Sequence, residues 1–184
     1  MKKLLILGVV VALVCAFVAV PVFAAKGDNP ANNNPNNLYL YQKDANWAIV
    51  WGGAWGKYNY KLSGTGAATT VSGPFNGHGL VPGTKYSLIY YPEVAPNPWP
   101  AEGWNVVLIG SGVANDGGDV HIAGSAIIGV PDTQPTVGDY IGKTGDKIWL
   151  VLDSDLSTVD GTTSMIGWTP GEYLFEQKLI NKGP

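Results

Sequence analysis

Residues 106–128 read Val106-Val-Leu-Ile-Gly-Ser-Gly-Val-Ala114-Asn115-Asp-Gly-Gly-Asp119-Val120-His-Ile-Ala-Gly-Ser-Ala-Ile-Ile128. Two runs of β-branched and small apolar residues flank a cluster of Asn, Asp and Gly. β-branched side chains fit an extended, half-buried backbone, and Asn, Asp and Gly tolerate the positive φ of a tight reversal. The stretch predicts two strands joined as a β-hairpin. Neither run repeats its apolar residues every three or four positions, as an amphipathic helix would.

The same grammar recurs on both sides. Short apolar or alternating blocks lie between Gly, Pro, Asn and Asp, and with 25 Gly and 13 Pro the chain is rich in turns. Strands are expected at Leu38–Gln42, Trp47–Trp51, Lys57–Leu62, Gly73–Leu80, Lys85–Tyr91, Trp104–Ala114, Asp119–Ile128, Lys147–Asp153 and Tyr173–Ile180. Lys147-Ile-Trp-Leu-Val-Leu-Asp153 is apolar on both faces, which marks a central strand. Longer loops fall at 92–103, 129–146 and 154–171. The expected fold class is all-β: an elaborated immunoglobulin- or fibronectin-like β-sandwich of about nine strands.

At the start of the chain, Lys2 and Lys3 precede an apolar run from Leu4 to Val20. Pro21 ends the run, and Val22-Phe23-Ala24 follows. A short positive region, an apolar stretch and a small-residue site form the pattern of a cleaved signal peptide, with the cut after Ala24. Residues 1–24 are therefore expected to direct secretion and to leave no membrane segment after cleavage. Cys15 follows Val14 rather than a small residue, which argues against a lipoprotein site. It is the only cysteine. The mature chain would then have no disulfide, thiol nucleophile or cysteine metal site. Residues 25–37 are polar and carry no side chain able to fill a core, so they read as a flexible leader. Residues 38–184 remain as one domain.

Charge narrows the partners. The formal net charge is −3, all 11 basic residues are Lys, and removing Lys2 and Lys3 makes the balance more negative. A nucleic-acid binder needs a basic face, preferably with Arg forks, and none is expected here.

Leu80-Val-Pro82-Gly83-Thr-Lys-Tyr86 joins a leucine and a Pro-Gly turn to a strand that carries Tyr86, Leu88 and Tyr90 on one face. This resembles the tyrosine corner of fibronectin type III and immunoglobulin-like domains, in which a tyrosine hydroxyl ties a loop to the following strand. Leu80, Pro82, Gly83 and Tyr86 would be its structural residues. Leu80–Pro92, Gly110–Gly124, Lys147–Leu152 and Gly167–Phe175 together are similar to an uncharacterised secreted β-sandwich module of archaeal and environmental bacterial proteins. That resemblance implies a cell-surface or extracellular setting and carries no activity or site residues.

Catalytic signals are sparse. His78 and His121 are the only histidines. A Ser72, His78 and Asp119 set is possible on residue types alone, without a Gly-x-Ser-x-Gly elbow to support it. Glu93, Glu102, Glu172 and Glu176 lie near aromatics, as glycosidase acids do, but Glu176 alternates with Phe175 and is expected to face solvent. No catalytic residue is assigned. Asp153, Asp155, Ser157 and Asp160 place oxygen atoms at the intervals of a calcium loop, without its later bidentate Glu. Calcium is thus the one conceivable cofactor.

The tryptophans carry more. In an extended strand Trp47, Ile49 and Trp51 would share one face. Core packing is expected to claim Trp149 and one of Trp47 and Trp51. Trp55, Trp99 and Trp104 lie at bends or in a proline-rich loop, where flat rings can stack on sugars or contact a protein. The expected function is a non-enzymatic adhesive or structural module of the cell exterior. Alternatives are a carbohydrate-binding module using Trp55, Trp99 and Trp104, or a small extracellular hydrolase. Expected partners are an extracellular polysaccharide or surface protein, with self-association possible.

Overall fold

A computed structural model describes residues 36–92, 104–129 and 147–180. The expected signal peptide, most of the polar leader, Trp99, Glu93, Glu102 and nearly all of the loops at 92–103 and 129–146 lie outside the described residues.

The described chain is all-β. Eleven strands run β1 (Asn37–Tyr41), β2 (Trp55–Asn59), β3 (Lys61–Ser63), β4 (Thr70–His78), β5 (Lys85–Tyr91), β6 (Trp104–Val113), β7 (Val120–Ile127), β8 (Lys147–Leu152), β9 (Leu156–Val159), β10 (Thr162–Met165) and β11 (Leu174–Glu176). They form one continuous antiparallel ladder in the order β3-β4-β2-β1-β11-β8-β5-β6-β10-β9, with β7 on the other edge of β4. β2 and β3 share one edge of β4, opposite its C-terminal and N-terminal halves respectively. The ladder folds over itself like a sandwich. Leu38, Leu40, Tyr58, Phe75, Tyr86, Leu88, Tyr90, Ile122, Ile148 and Leu150 meet in one buried interior.

Alternation explains which residues reach this interior, because successive side chains of a strand point to opposite faces. Leu38 and Leu40 of β1 point in, so Tyr39 and Tyr41 point out. β5, β8 and β11 bury both faces. Their outer side chains Ile89, Tyr91, Trp149, Val151 and Phe175 form a second cluster with Met165 and Tyr173, against which Leu156 and Trp168 pack. This double burial accounts for the unbroken apolar run Ile148–Leu152.

The stretch 106–128 departs from its expectation in an informative way. Its turn forms as read: Asn115 Oδ1 accepts the N–H groups of Gly117 and Asp119, each at 2.9 Å. The strands, however, pair elsewhere, β6 with β5 and β10, and β7 with β4. Between Leu88 and Ile89 the β5–β6 register shifts, leaving Ile109 as an extra residue in β6. From this bulge onward β6 runs close against β7, and glycines occupy the contact. A Cβ on Gly124 would lie 1.9 Å from the Ile109 carbonyl oxygen, and one on Gly112 would lie 3.0 Å from that of His121. The glycines thus let the two backbones approach closely without pairing in a ladder.

Three other expectations are corrected. Residues Trp47–Trp51 form no strand. Asp44 Oδ1 accepts the N–H groups of Asn46 and Ala48 at 2.8 and 2.9 Å, and Trp47 takes a φ of 62°. The side chain of Asp44 thus closes a tight turn that the apolar pattern conceals. The expected strand Lys57–Leu62 is two, split at Tyr60, whose N–H donates to the Asn36 carbonyl at 2.9 Å. The loop expected at 154–171 contains the hairpin β9–β10. Its turn residues Asp160 and Gly161 both have positive φ, 49° and 79°, as a two-residue hairpin turn matching the strand twist requires.

Candidate functional site

The outer face of β1, β2 and β4 carries a connected series of rings. Trp55 opens β2 between Tyr41 of β1 and His78 of β4 in the ladder. Its ring lies 4.7 Å from the His78 ring, centroid to centroid, and 6.4 Å from that of Tyr39. Tyr39 stacks on Tyr41 at 6.3 Å, and Tyr41 meets Trp51 edge-on at 5.7 Å. Lys57 Nζ sits 5.9 Å from the centre of the Tyr39 ring. The strand parity that buries Leu38, Leu40, Gly56 and Tyr58 is what turns Tyr39, Trp55 and Lys57 outward together.

His78 is held by a second partner. Its Nδ1 lies 2.7 Å from Asp119 Oδ1. Asp119 stands one step beyond the Gly77–Val120 pair of the β4–β7 ladder, so strand register brings the two together. Next along β4, Asn76 Oδ1 lies 2.8 Å from His121 Nδ1. Polar pairs from β4 and β7 thus border the aromatic rings.

Beside Trp55 and His78 lies an open cleft of about 230 Å³, whose wall also includes Gln42, Gly52, Gly53, Ala54 and Gly79. Gly52 and Gly79 have φ of +84° and +72°, conformations that side chains disfavour, so the cleft stays open. A half-buried indole, an imidazole with its orienting carboxylate and exposed backbone offer a flat apolar surface rimmed by donors and acceptors. That combination suits a polyhydroxylated ring.

The other expected positions are dispersed. Trp104 begins β6, its backbone opposite Met165 of β10, far along the ladder from Trp55. Trp51 is 54% exposed and Trp47 38%, so neither takes the core place expected for one of them, whereas Trp149 is buried. Ser72 shares a strand with His78 but is six residues away, about 20 Å at the usual rise per residue. The set Ser72, His78 and Asp119 therefore reduces to the pair His78–Asp119.

The calcium-type positions serve local structure. Asp153 accepts from Ser87 at 2.6 Å and pairs with Lys85 Nζ at 3.0 Å. Burial alone would raise its pKa, but hydrogen bonds from Ser87 and Lys85 and the charge of Lys85 outweigh that and hold it low. Asp155 accepts from the Tyr173 hydroxyl. Ser157 pairs across from Ser164, and Asp160 is in the β9–β10 turn. Among the described residues no three His, Cys, Asp or Glu side chains are grouped to hold a metal.

Around the Pro82-Gly83 turn, the Tyr86 hydroxyl accepts the Val81 N–H at 3.2 Å, with Leu80 buried beneath. Glu176, expected at the surface, is 2% exposed. By alternation it shares the face of Leu174, opposite Phe175, and in register it stands across from the buried Leu40 of β1. Burial pushes its carboxyl up to about 8, opposed by its own backbone N–H, by the charges of Lys147 and Lys43, and by Trp149.

No protein-family model, curated protein or solved structure matches the chain.

Proposed function

We propose that the chain is a non-enzymatic adhesive module of the cell exterior that holds a saccharide against Trp55. The observation that carries this reading is the placement of Trp55 in an open cleft, beside His78 and its partner Asp119. A sugar ring stacking its C–H face on the indole would meet hydrogen-bonding groups on its hydroxyl rim. The positive, apolar and small-residue pattern of residues 1–24 supports an exterior setting. Hydrolysis would need a nucleophile or a second acid near His78, and Ser72 is too distant to supply one.

The test is tryptophan fluorescence of the purified protein with a water-soluble quencher, before and after addition of a panel of soluble polysaccharides. Protection from quenching by at least one polysaccharide, lost in Trp55→Ala, is the expected result. If no polysaccharide changes the quenching of the wild-type protein, the saccharide reading is wrong and the exposed Trp51 and Val50 become the leading contact for a protein partner.

A further inference from the structure

The cleft beside Trp55 adjoins a second one. This neighbour, about 220 Å³, shares Gln42, Ala54 and Gly79 with the first and continues past Leu80 and Gly171 to Glu172. We infer that the two are subsites of one groove, so that the ligand proposed above is an oligosaccharide bound through at least two consecutive units, with Gln42 between them. The inference rests on the saccharide reading of the Trp55 cleft.

Three observations carry it. The first is size. Each cleft alone falls below the roughly 300 Å³ at which small-molecule sites begin, whereas the two joined reach that range. The second is the position of Gln42. Its Nε2 donates to the Gly171 carbonyl at 2.7 Å, which anchors the side chain across the junction. Its Oε1 points toward Gly53, where an added Cβ would lie 2.7 Å away. The amide therefore marks the boundary between subsites and is a fixed polar contact for a unit on either side.

The third is that the two ends differ in chemistry. The Trp55 end offers an aromatic face with the His78–Asp119 pair. The far end has no indole. There Glu172 is exposed on the turn Pro170–Glu172 and supplies a carboxylate to accept sugar hydroxyls. Gly171 between them has nothing within 4 Å of its would-be Cβ, leaving room above the backbone. One unit stacks and the next is held by hydrogen bonds alone, which is an arrangement for a chain rather than for a lone ring.

The experiment measures binding of mono-, di- and tetrasaccharides of β-1,4-linked glucose, mannose and N-acetylglucosamine and of α-1,4-linked galacturonate to the full protein by titration calorimetry. For the sugar that binds, affinity should rise about tenfold or more from one unit to two, a gain of about 1.4 kcal/mol. Glu172→Gln, an exposed change that spares the fold, should weaken the disaccharide several-fold and leave the monosaccharide unchanged. Gln42→Ala should weaken the disaccharide more. If a monosaccharide binds as tightly as its dimer and Trp55→Ala abolishes both, the two-subsite inference is overturned while the saccharide reading stands. If none of the sugars binds at any length, both fall together.

Discussion

Gly124 of β7 faces the carbonyl of Ile109, the extra residue in β6, so closely that no side chain fits between them. A methyl there would overlap backbone, which cannot rotate away as a flexible side chain could. Gly124→Ala should therefore cost about 3 kcal/mol or more, at or above the upper end of overpacking penalties. Gly171→Ala, with open space and an ordinary φ, should leave stability nearly unchanged. Thermal melts of the two variants check this, and equal midpoints would show that β6 and β7 do not approach as closely as described.

Tyr86→Phe keeps the buried ring and removes only the acceptor for the Val81 N–H. The expected loss is about 1 kcal/mol, typical of one hydrogen bond. Urea denaturation should show a lower midpoint with an unchanged slope. A midpoint equal to wild type would mean that the hydroxyl does not tie the Pro82-Gly83 turn to β5.

Glu176 gives stability a particular pH dependence. Its folded pKa, about 8, exceeds the ordinary value of 4.5, so the native state binds the proton more tightly than the unfolded chain does. The stabilisation is complete below the unfolded value and is lost as pH rises through the folded one. Between about pH 4.5 and 8 the wild-type protein should lose stability relative to Glu176→Gln, which has no proton to release there. Unfolding curves of both proteins at pH 5 and pH 8 provide the comparison. A constant difference between them would show that Glu176 is ionised in the native state throughout.

Trp55→Ala should weaken saccharide binding by about 2 kcal/mol or more, the scale of a central aromatic contact. Asp119→Asn should also weaken binding, by releasing His78 from its orientation. Trp51→Ala, beyond Tyr41 and outside the cleft, should have a smaller effect. Calorimetric titration with the best polysaccharide ranks the three, and a larger loss at Trp51 than at Trp55 would move the site onto the 42–54 loop.

Much of this architecture was legible because local pattern and final environment agree. Lys85–Tyr91 and Ile148–Leu152 read as strands since both their faces are buried, and the Asn115–Asp119 turn carries its own hydrogen bonds. Legibility failed where a short polar side chain decided the backbone. Asp44 turned an apolar alternation into a loop, and Asp160-Gly161, weighed as part of an ion-binding run, proved to be a hairpin turn. At the site, Trp55 could be singled out by residue type. His78 and Asp119 could not be joined to it, because their meeting depends on the register between β4 and β7, strands far apart in sequence. Glu176 misled for a related reason. Alternation sets it opposite Phe175, but only the packing of distant segments shows that Phe175 belongs to the outer cluster and that Glu176 shares the buried face of Leu174.

β1 is zipped to β11, with Leu40 opposite Glu176 and Tyr41 opposite Phe175. The first described strand thus waits for the last, and the ladder stays open along β1 until β11 is present. A growing polypeptide cannot complete this domain while its C-terminal part is still being made. Loop closure over such a separation is slow, and an unpaired β1 edge is exposed meanwhile. The order of synthesis therefore leaves the nascent domain unclosed until the segment that carries β11 has been made.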